Sequence, residues 1–291
     1  MKNKHLICPV CNSEKIINSW RYYSENGLLR CRNCSFVFME KIPTEDELND
    51  FYSLYSYSAE AYLSPITIKS YNILLDEFEK YRKTSNLLDV GCGRGWFLEE
   101  AKKRGWKVFG TEYSDKAIEI CSNKGIEMKK GELHSAEFKG VEFDIITSFE
   151  VIEHLSFPKV HLEEINKLLR HKGLFYCTTP NFNSLQRHKE KTSYKIIFYP
   201  EHLSYFSKRT LCRSANKAGF IKKKFKSTGL STTVLRKNKP AVSMNNKNHP
   251  DEQLRNEIEK KKYLIVLKSI INFFLTITNK GNTLKGYFLK S

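Results

Sequence analysis

The feature that most constrains this chain lies near its middle. Leu87-Leu88-Asp89-Val90 breaks into Gly91-Cys92-Gly93-Arg94-Gly95, and a helical pattern follows from Trp96 to about Arg104. A short apolar run bounded by turn residues reads as a buried strand. Three glycines in five positions mark backbone that must turn tightly or admit a ligand closely. Strand patterns recur at 107–112, ending in the acid Glu112, at 143–148 and at 173–178. Helical patterns lie between them, one with Ser114 as its expected N-cap. Repeated βα units predict an α/β fold with a parallel, doubly wound, Rossmann-like sheet. Such sheets bind ligands at the carboxyl ends of their strands.

The glycine spacing is G-x-G-x-G, which departs from the G-x-G-x-x-G of dinucleotide sites. The loop still opens a helix, whose N-terminus can hold a carboxylate. Glu112 ends its strand where an acid can accept both hydroxyls of a ribose. Further along stands Glu150-Val151-Ile152-Glu153-His154. If this stretch begins a helix, Glu150, Glu153 and His154 share one face. With His202, from the segment after the fifth strand, they form a carboxylate–imidazole set suited to Mg²⁺, Mn²⁺ or Zn²⁺. Without a metal, His154 is the candidate general base.

Cys8-Pro-Val-Cys11 and Cys31-Arg-Asn-Cys34 are two C-x-x-C knuckles. Two facing knuckles present four thiolates in a cage that suits zinc, with no open position for chemistry. So small a module cannot hold itself by apolar burial alone, so a structural zinc ribbon is expected over residues 1–40. Residues 41–85 read as a helical connector or lid. Thr44 to Glu47 forms a capping box, Ser64-Pro65 a second helix start, and Tyr71, Leu74, Leu75, Phe78 and Tyr81 keep helical spacing. The aromatic stretch from Phe51 to Tyr57 either lines a pocket or packs on the next domain. The core is expected over 86–235, and 236–291 supplies a polar insertion, a helix and the last strand.

The chain has 291 residues, 40% hydrophobic and 13% aromatic, enough for one α/β domain and a small module. Its formal net charge of +17 favours anionic partners: RNA, nucleotide-linked sugars or anionic lipid. Between Arg187 and Lys226 stand twelve Lys/Arg against two acids, interleaved with aromatics, a composition that suits RNA or a sugar diphosphate equally. Part of it reads as a solvated surface helix from Lys208, capped by Ser207 and ended by Gly219. Cysteine usage fits a reduced, cytoplasmic protein, and the first ten residues lack the apolar segment of a secretory signal. The apolar run at 263–277 is interrupted by Lys268 and Asn272 and is too short and polar for a membrane span. It reads as the apolar half of a helix that packs on the sheet or on a neighbouring subunit, with a membrane surface as the alternative.

Asp89-x-Gly91-x-Gly93-x-Gly95, Glu112, and Phe143-Asp144-Ile145-Ile146 leading into Glu150 to Leu155 resemble class I S-adenosylmethionine-dependent methyltransferases. The resemblance runs over about 86–225, with the last strand near 284–289. The knuckles, Leu29-Arg30 and the Pro43-Thr44 segment are similar to bacterial zinc-ribbon methyltransferases linked to surface-polysaccharide or sugar modification. The resemblance implies that Asp89, Gly91, Gly93 and Gly95 cradle the methionine part of S-adenosylmethionine. It implies that Glu112 binds the ribose, Tyr113 lies beside the adenine, Glu132 and Leu133 contact the adenine edge, and Phe149 lies near the sulfonium. Glu150, Glu153, His154 and His202 are similar to the metal site of small-RNA 2′-O-methyltransferases and of ubiquinone-pathway O-methyltransferases. The implied activity is methyl transfer, expected at an oxygen of a small-molecule or saccharide acceptor. The alternatives are an RNA 2′-O-methyltransferase and a non-enzymatic zinc-ribbon binding protein.

Overall fold

The computed structural model describes residues 3–18, 21–53, 62–230 and 261–291. The polar insertion at 236–250 and most of the aromatic stretch after Phe51 lie outside them. The N-terminal module comprises β1 (Ile16–Ile17), α1 (Arg21–Glu25), β2 (Leu28–Cys31) and β3 (Val37–Met39). The connector holds α2 (Glu45–Ser53) and α3 (Pro65–Phe78). The capping box forms, with Thr44 N–H donating to Glu47 Oε2 at 3.0 Å and Glu47 N–H to Thr44 Oγ1 at 3.2 Å. Leu74, Leu75 and Phe78 are the buried stripe of α3, as their spacing requires.

The core runs β4 (Asn86–Val90), α4 (Trp96–Lys103), β5 (Lys107–Glu112), α5 (Asp115–Asn123), β6 (Glu127–Lys130), β7 (Phe143–Phe149), α6 (Pro158–Leu168) and β8 (Leu169–Pro180). It continues through α7 (Leu185–Glu190), β9 (Ser204–Tyr205), α8 (Lys208–Lys217), β10 (Phe220–Thr228), α9 (Lys262–Thr278) and β11 (Thr283–Lys290). The main sheet has seven strands in the order β10-β11-β8-β7-β4-β5-β6. The pairs β6-β5, β5-β4, β4-β7 and β7-β8 are parallel. The sheet is not wholly parallel, because β11 runs antiparallel to both β8 and β10. The reason lies at the end of α9, where Asn181 N–H donates to Asn282 O at 2.7 Å. The chain enters β11 beside the carboxyl end of β8 and has to run back down the sheet. Lys222, Lys223 and Lys224 lie on edge strand β10, where charge guards the unpaired backbone edge.

Buried Asp144 fastens the amino ends of three strands. Its carboxylate accepts from Lys83 N–H at 2.7 Å and Ser85 N–H at 2.8 Å, just before β4, and from Arg170 Nε of β8 at 2.5 Å. Arg170 also donates to the Tyr81 and His171 carbonyls.

The N-terminal module is continuous with the core. Strand β3 pairs with β9, and Met39 N–H donates to Leu203 O at 2.8 Å. Phe36 and Phe38 share a cluster with Phe206, whose ring centroid lies 4.9 Å from that of Phe36. Helix α9 packs on the sheet at edge strand β10, along one side only. Leu275 is its buried side chain, and polar bonds hold it to β10: Thr276 Oγ1 to Ser227 O at 3.1 Å, and Gly229 N–H to Asn272 Oδ1 at 3.0 Å. Most of its apolar residues stay exposed.

Candidate active site

Gly91, Gly93 and Gly95 all adopt positive φ, at 67°, 53° and 69°, which side chains disfavour. A Cβ on Gly91 would lie 2.6 Å from Val151 Cγ2, and one on Gly95 2.7 Å from Ile126 Cδ1. A Cβ on Gly93 meets nothing within 4 Å. Gly91 and Gly95 therefore serve packing, and Gly93 leaves the open space into which a ligand can come.

Glu112 braces this loop. Its Oε2 accepts from Gly93 N–H at 2.9 Å and its Oε1 from Tyr113 N–H at 2.9 Å. Asp89 ends β4 almost fully buried, accepting from Thr147 Oγ1 at 2.7 Å. Burial pushes its pKa up to about 7, with the Glu112 charge adding to the rise and the Thr147 bond opposing it. Thr147 is not among the expected residues, and its signal is a hydroxyl that pairs in register with Asp89 on the neighbouring strand. Phe149 packs at 5.0 Å from Phe97 and 5.6 Å from Tyr176, forming an aromatic wall beyond β7. Tyr113 and Glu132 are exposed, as residues facing a ligand groove can be. Leu133 follows Glu132 in the chain. Its side chain is 4% exposed within the core, which leaves only its main chain to meet an adenine.

The segment after β7 is not an α-helix. Glu150 takes φ +52°, because its N–H is captured by Thr178 O at 3.1 Å and Thr178 Oγ1 at 3.2 Å. A single 3₁₀ turn, Ile152–His154, follows. The shared helical face of Glu150, Glu153 and His154 is therefore absent. Instead Glu153, His154 and His202 each offer a ligand atom, all within 4.8 Å of one another, and Glu150 lies outside that group. Glu150 is exposed as a whole, yet its carboxyl meets Thr178 and Glu153, and desolvation raises its pKa.

Each member of the triad is held for a common target. His154 Nδ1 lies 2.7 Å from Glu201 O, and His202 Nδ1 lies 2.7 Å from Ile196 O. A carbonyl only accepts, so each Nδ1 carries a proton, and in the neutral ring that leaves the lone pair on Nε2. The rings stand 4.9 Å apart, and burial and His202 together lower the pKa of His154. Glu153 is 2% exposed, and its Oε2 has no hydrogen-bond partner. Burial first and Glu150 second raise its pKa well above the carboxylate range. A buried carboxylate oxygen without a partner, beside two imidazole lone pairs fixed by carbonyls, is the donor set a divalent cation requires. Glu153 and His202 line a small cavity with Pro180, Phe182, Tyr194 and Tyr205. The main chain also links Glu153 to the N-terminal module, since Leu203 N–H donates to Glu153 O at 2.7 Å and Leu203 O accepts from Met39.

Cys8, Cys11, Cys31 and Cys34 form a second donor group. Sγ separations are 3.5 Å for Cys8–Cys34 and 3.5 Å for Cys11–Cys31. A tetrahedron with bonds of about 2.3 Å has edges of about 3.8 Å, so the cage fits a zinc ion. Asn12 and Ser35, each directly after a knuckle, both take positive φ, and this turns the thiols inward.

The sheet order, the glycine loop opening α4 and the acid ending β5 define the fold of S-adenosylmethionine-dependent methyltransferases. A family model described as a methyltransferase domain matches residues 69–222, and the chain belongs to that family. Among solved structures, the chain superposes on a SAM-dependent methyltransferase from Archaeoglobus fulgidus with a TM-score of 0.51 at 19% identity, covering 77% of this chain and 94% of that one. Phosphoethanolamine N-methyltransferase 2 of Haemonchus contortus, solved with S-adenosyl-L-methionine, gives 0.52 at 15% identity over 87% and 63%. At these identities the likeness is one of fold. A ubiquinone biosynthesis O-methyltransferase of Cereibacter sphaeroides is 30% identical over 103 residues, 33% of this chain and 42% of that protein. An uncharacterised protein of Methanocaldococcus jannaschii is 28% identical over 171 residues, 58% and 71% of the two chains. The chain thus spans less than half the length of the ubiquinone relative. No helix among the described residues is long and apolar enough to cross a membrane.

Proposed function

We propose that the protein transfers a methyl group from S-adenosylmethionine to an oxygen of a small-molecule or saccharide acceptor. The observation that carries this reading is the convergence of Glu153 and the two Nε2 lone pairs beyond the carboxyl end of β7, the strand that also supplies Phe149. The Cereibacter sphaeroides relative, a ubiquinone biosynthesis O-methyltransferase, supports the same choice of atom.

The methyl donor brings the reactive sulfonium when bound. The protein's part is to hold donor and acceptor in line, and proximity of this kind supplies several kcal/mol. Gly93 admits the methionine part, and Asp89, ionised, faces its ammonium. Glu112, which ends β5, would hold the ribose hydroxyls. Phe149 closes off water from the methyl group. Glu153, His154 and His202 would hold a divalent cation, which would supply Lewis-acid assistance to ionisation of an acceptor hydroxyl. Glu150 takes up the proton at the lip of the cleft. The neutral state of His154 keeps its lone pair available for either ligation or proton abstraction. A zinc ion in the Cys8, Cys11, Cys31 and Cys34 cage is structural. Through β3 and Leu203 it steadies the segment bearing His202.

The test is incubation with methyl-labelled S-adenosylmethionine and cell extract, followed by fractionation. Label in nuclease-resistant small molecules or saccharide supports the reading, and label removed by ribonuclease would replace it with an RNA acceptor. Glu153→Gln should abolish transfer and lower the divalent-cation content by one per chain, leaving the cysteine site loaded. Retained activity in that variant would remove the metal from the reading.

A further inference from the structure

Helix α9 carries a feature that methyl transfer does not use. Tyr263, Val266, Ile270, Phe273, Phe274 and Ile277 recur at helical spacing along one stripe, and each is about half or more exposed, from 48% at Ile270 to 65% at Tyr263. The opposite side is fixed. Leu275 is buried, and Asn272 and Thr276 bond to Gly229 and Ser227 on the sheet. The helix therefore cannot roll its apolar stripe inward without breaking those bonds. Isolated exposed apolar residues need no explanation, but a continuous stripe marks an interaction surface.

Charge identifies what fits it. From Lys261 to Lys280, over the helix and its ends, the sequence holds four lysines and no Asp or Glu. At the carboxyl end of the helix, Lys280 Nζ lies 2.9 Å from His188 Nε2, and Arg187 lies 3.4 Å from His188 Nδ1. Exposed Leu185 adjoins them, its N–H donating to Lys280 O at 3.0 Å. A cationic group at the end of an apolar stripe matches a bilayer interface, with acyl chains for the stripe and anionic headgroups for the lysines. Pairing of two copies through this stripe would bring two acid-free, lysine-bearing segments together. At 17 residues the helix lies on such a surface rather than spanning it.

We infer that α9 is a docking helix for an anionic membrane surface, with Arg187, His188 and Lys280 as its headgroup contacts. The inference does not depend on which acceptor is methylated.

Flotation of the full-length, zinc-loaded chain with lipid vesicles tests it. Vesicles of phosphatidylcholine with about a third phosphatidylglycerol should bind about tenfold more protein than phosphatidylcholine alone, with binding weakening as salt rises. Phe273→Ser with Phe274→Ser should reduce that binding about tenfold while the far-ultraviolet dichroism is unchanged. Lys280→Glu should remove the preference for the anionic vesicles. Phe273→Trp gives a readout without truncation: its emission should shift to the blue with anionic vesicles only. Absence of binding, binding unaffected by the double serine variant, or equal binding to neutral vesicles would overturn the inference. A dimer in sedimentation that the same double variant converts to monomer would overturn it in favour of a second copy.

Discussion

Replacing Asp89 with asparagine should make the free protein more stable at pH 8 and weaken its hold on the methyl donor. The carboxyl is buried, with one hydrogen bond from Thr147, and its pKa is pushed up from 3.8 to about 7. Below pH 4 the group is protonated in both folded and unfolded chains and contributes nothing to pH dependence. Between pH 4 and 7 the unfolded chain ionises while the folded chain keeps its proton. Stability therefore falls with rising pH by up to about 1.4 kcal/mol per unit. Above pH 7 the loss is complete, about 4 kcal/mol for a shift of about three units. Asparagine keeps an acceptor for Thr147 and carries no charge, so the variant should gain up to that amount at pH 8 and little at pH 4. Urea unfolding at both pH values measures the difference. The methionine ammonium needs the ionised carboxylate, so donor affinity in the unmodified protein should fall about tenfold from pH 8 to pH 6. An Asp89→Asn variant destabilised equally at both pH values would refute the reasoning, because Asp89 would then be a satisfied structural acceptor.

Four further outcomes follow from the geometry. Arg170→Ala leaves the Asp144 carboxylate buried with only backbone donors and should cost about 3–5 kcal/mol in urea unfolding, while Arg170→Met with Asp144→Leu should recover part of that loss. Cys31→Ser with Cys34→Ser should lower zinc content by one per chain, open residues 1–40 to protease, and reduce methyl transfer through the β3–β9 pairing that holds Leu203 beside His202. Gly91→Ala should destabilise the fold, because its Cβ would stand 2.6 Å from Val151. Gly93→Ala should cost only about 1–2 kcal/mol for its positive φ but should weaken donor binding, as read by thermal melting and calorimetry.

The parts of this fold that follow local rules were legible in the residues. The strands flanking the glycine loop, the Ser114 and Ser207 caps and the stripe of α3 depend on neighbours within a few positions. The two-residue strand β9 has no pattern of its own and exists because β3, far away in sequence, pairs with it. Glu150 shows the limit of spacing arguments. E-x-x-E-H reads as a helix start, yet Thr178 on the adjacent strand captures the Glu150 N–H and forces a turn. The turn nevertheless brings Glu153 and His154 to His202, by a route that helical spacing does not describe. The carbonyls of Ile196 and Glu201, which fix the two imidazoles, carry no side-chain signal at all. The amphipathic character of α9 was legible, but which side of it faces the sheet depends on Asn272 and Thr276 finding partners at 227–229.

Binding of the methyl donor at the glycine loop and Glu112 is what the proposed methyl transfer requires first. Calorimetric titration of the zinc-loaded protein with S-adenosylmethionine and with S-adenosylhomocysteine tests it most directly. The account predicts one site per chain for each ligand, and affinity at least about tenfold weaker in Glu112→Ala, the scale of charge-assisted bonds to the ribose. Binding of neither ligand by the folded protein, or equal affinity in the Glu112→Ala variant, would contradict it.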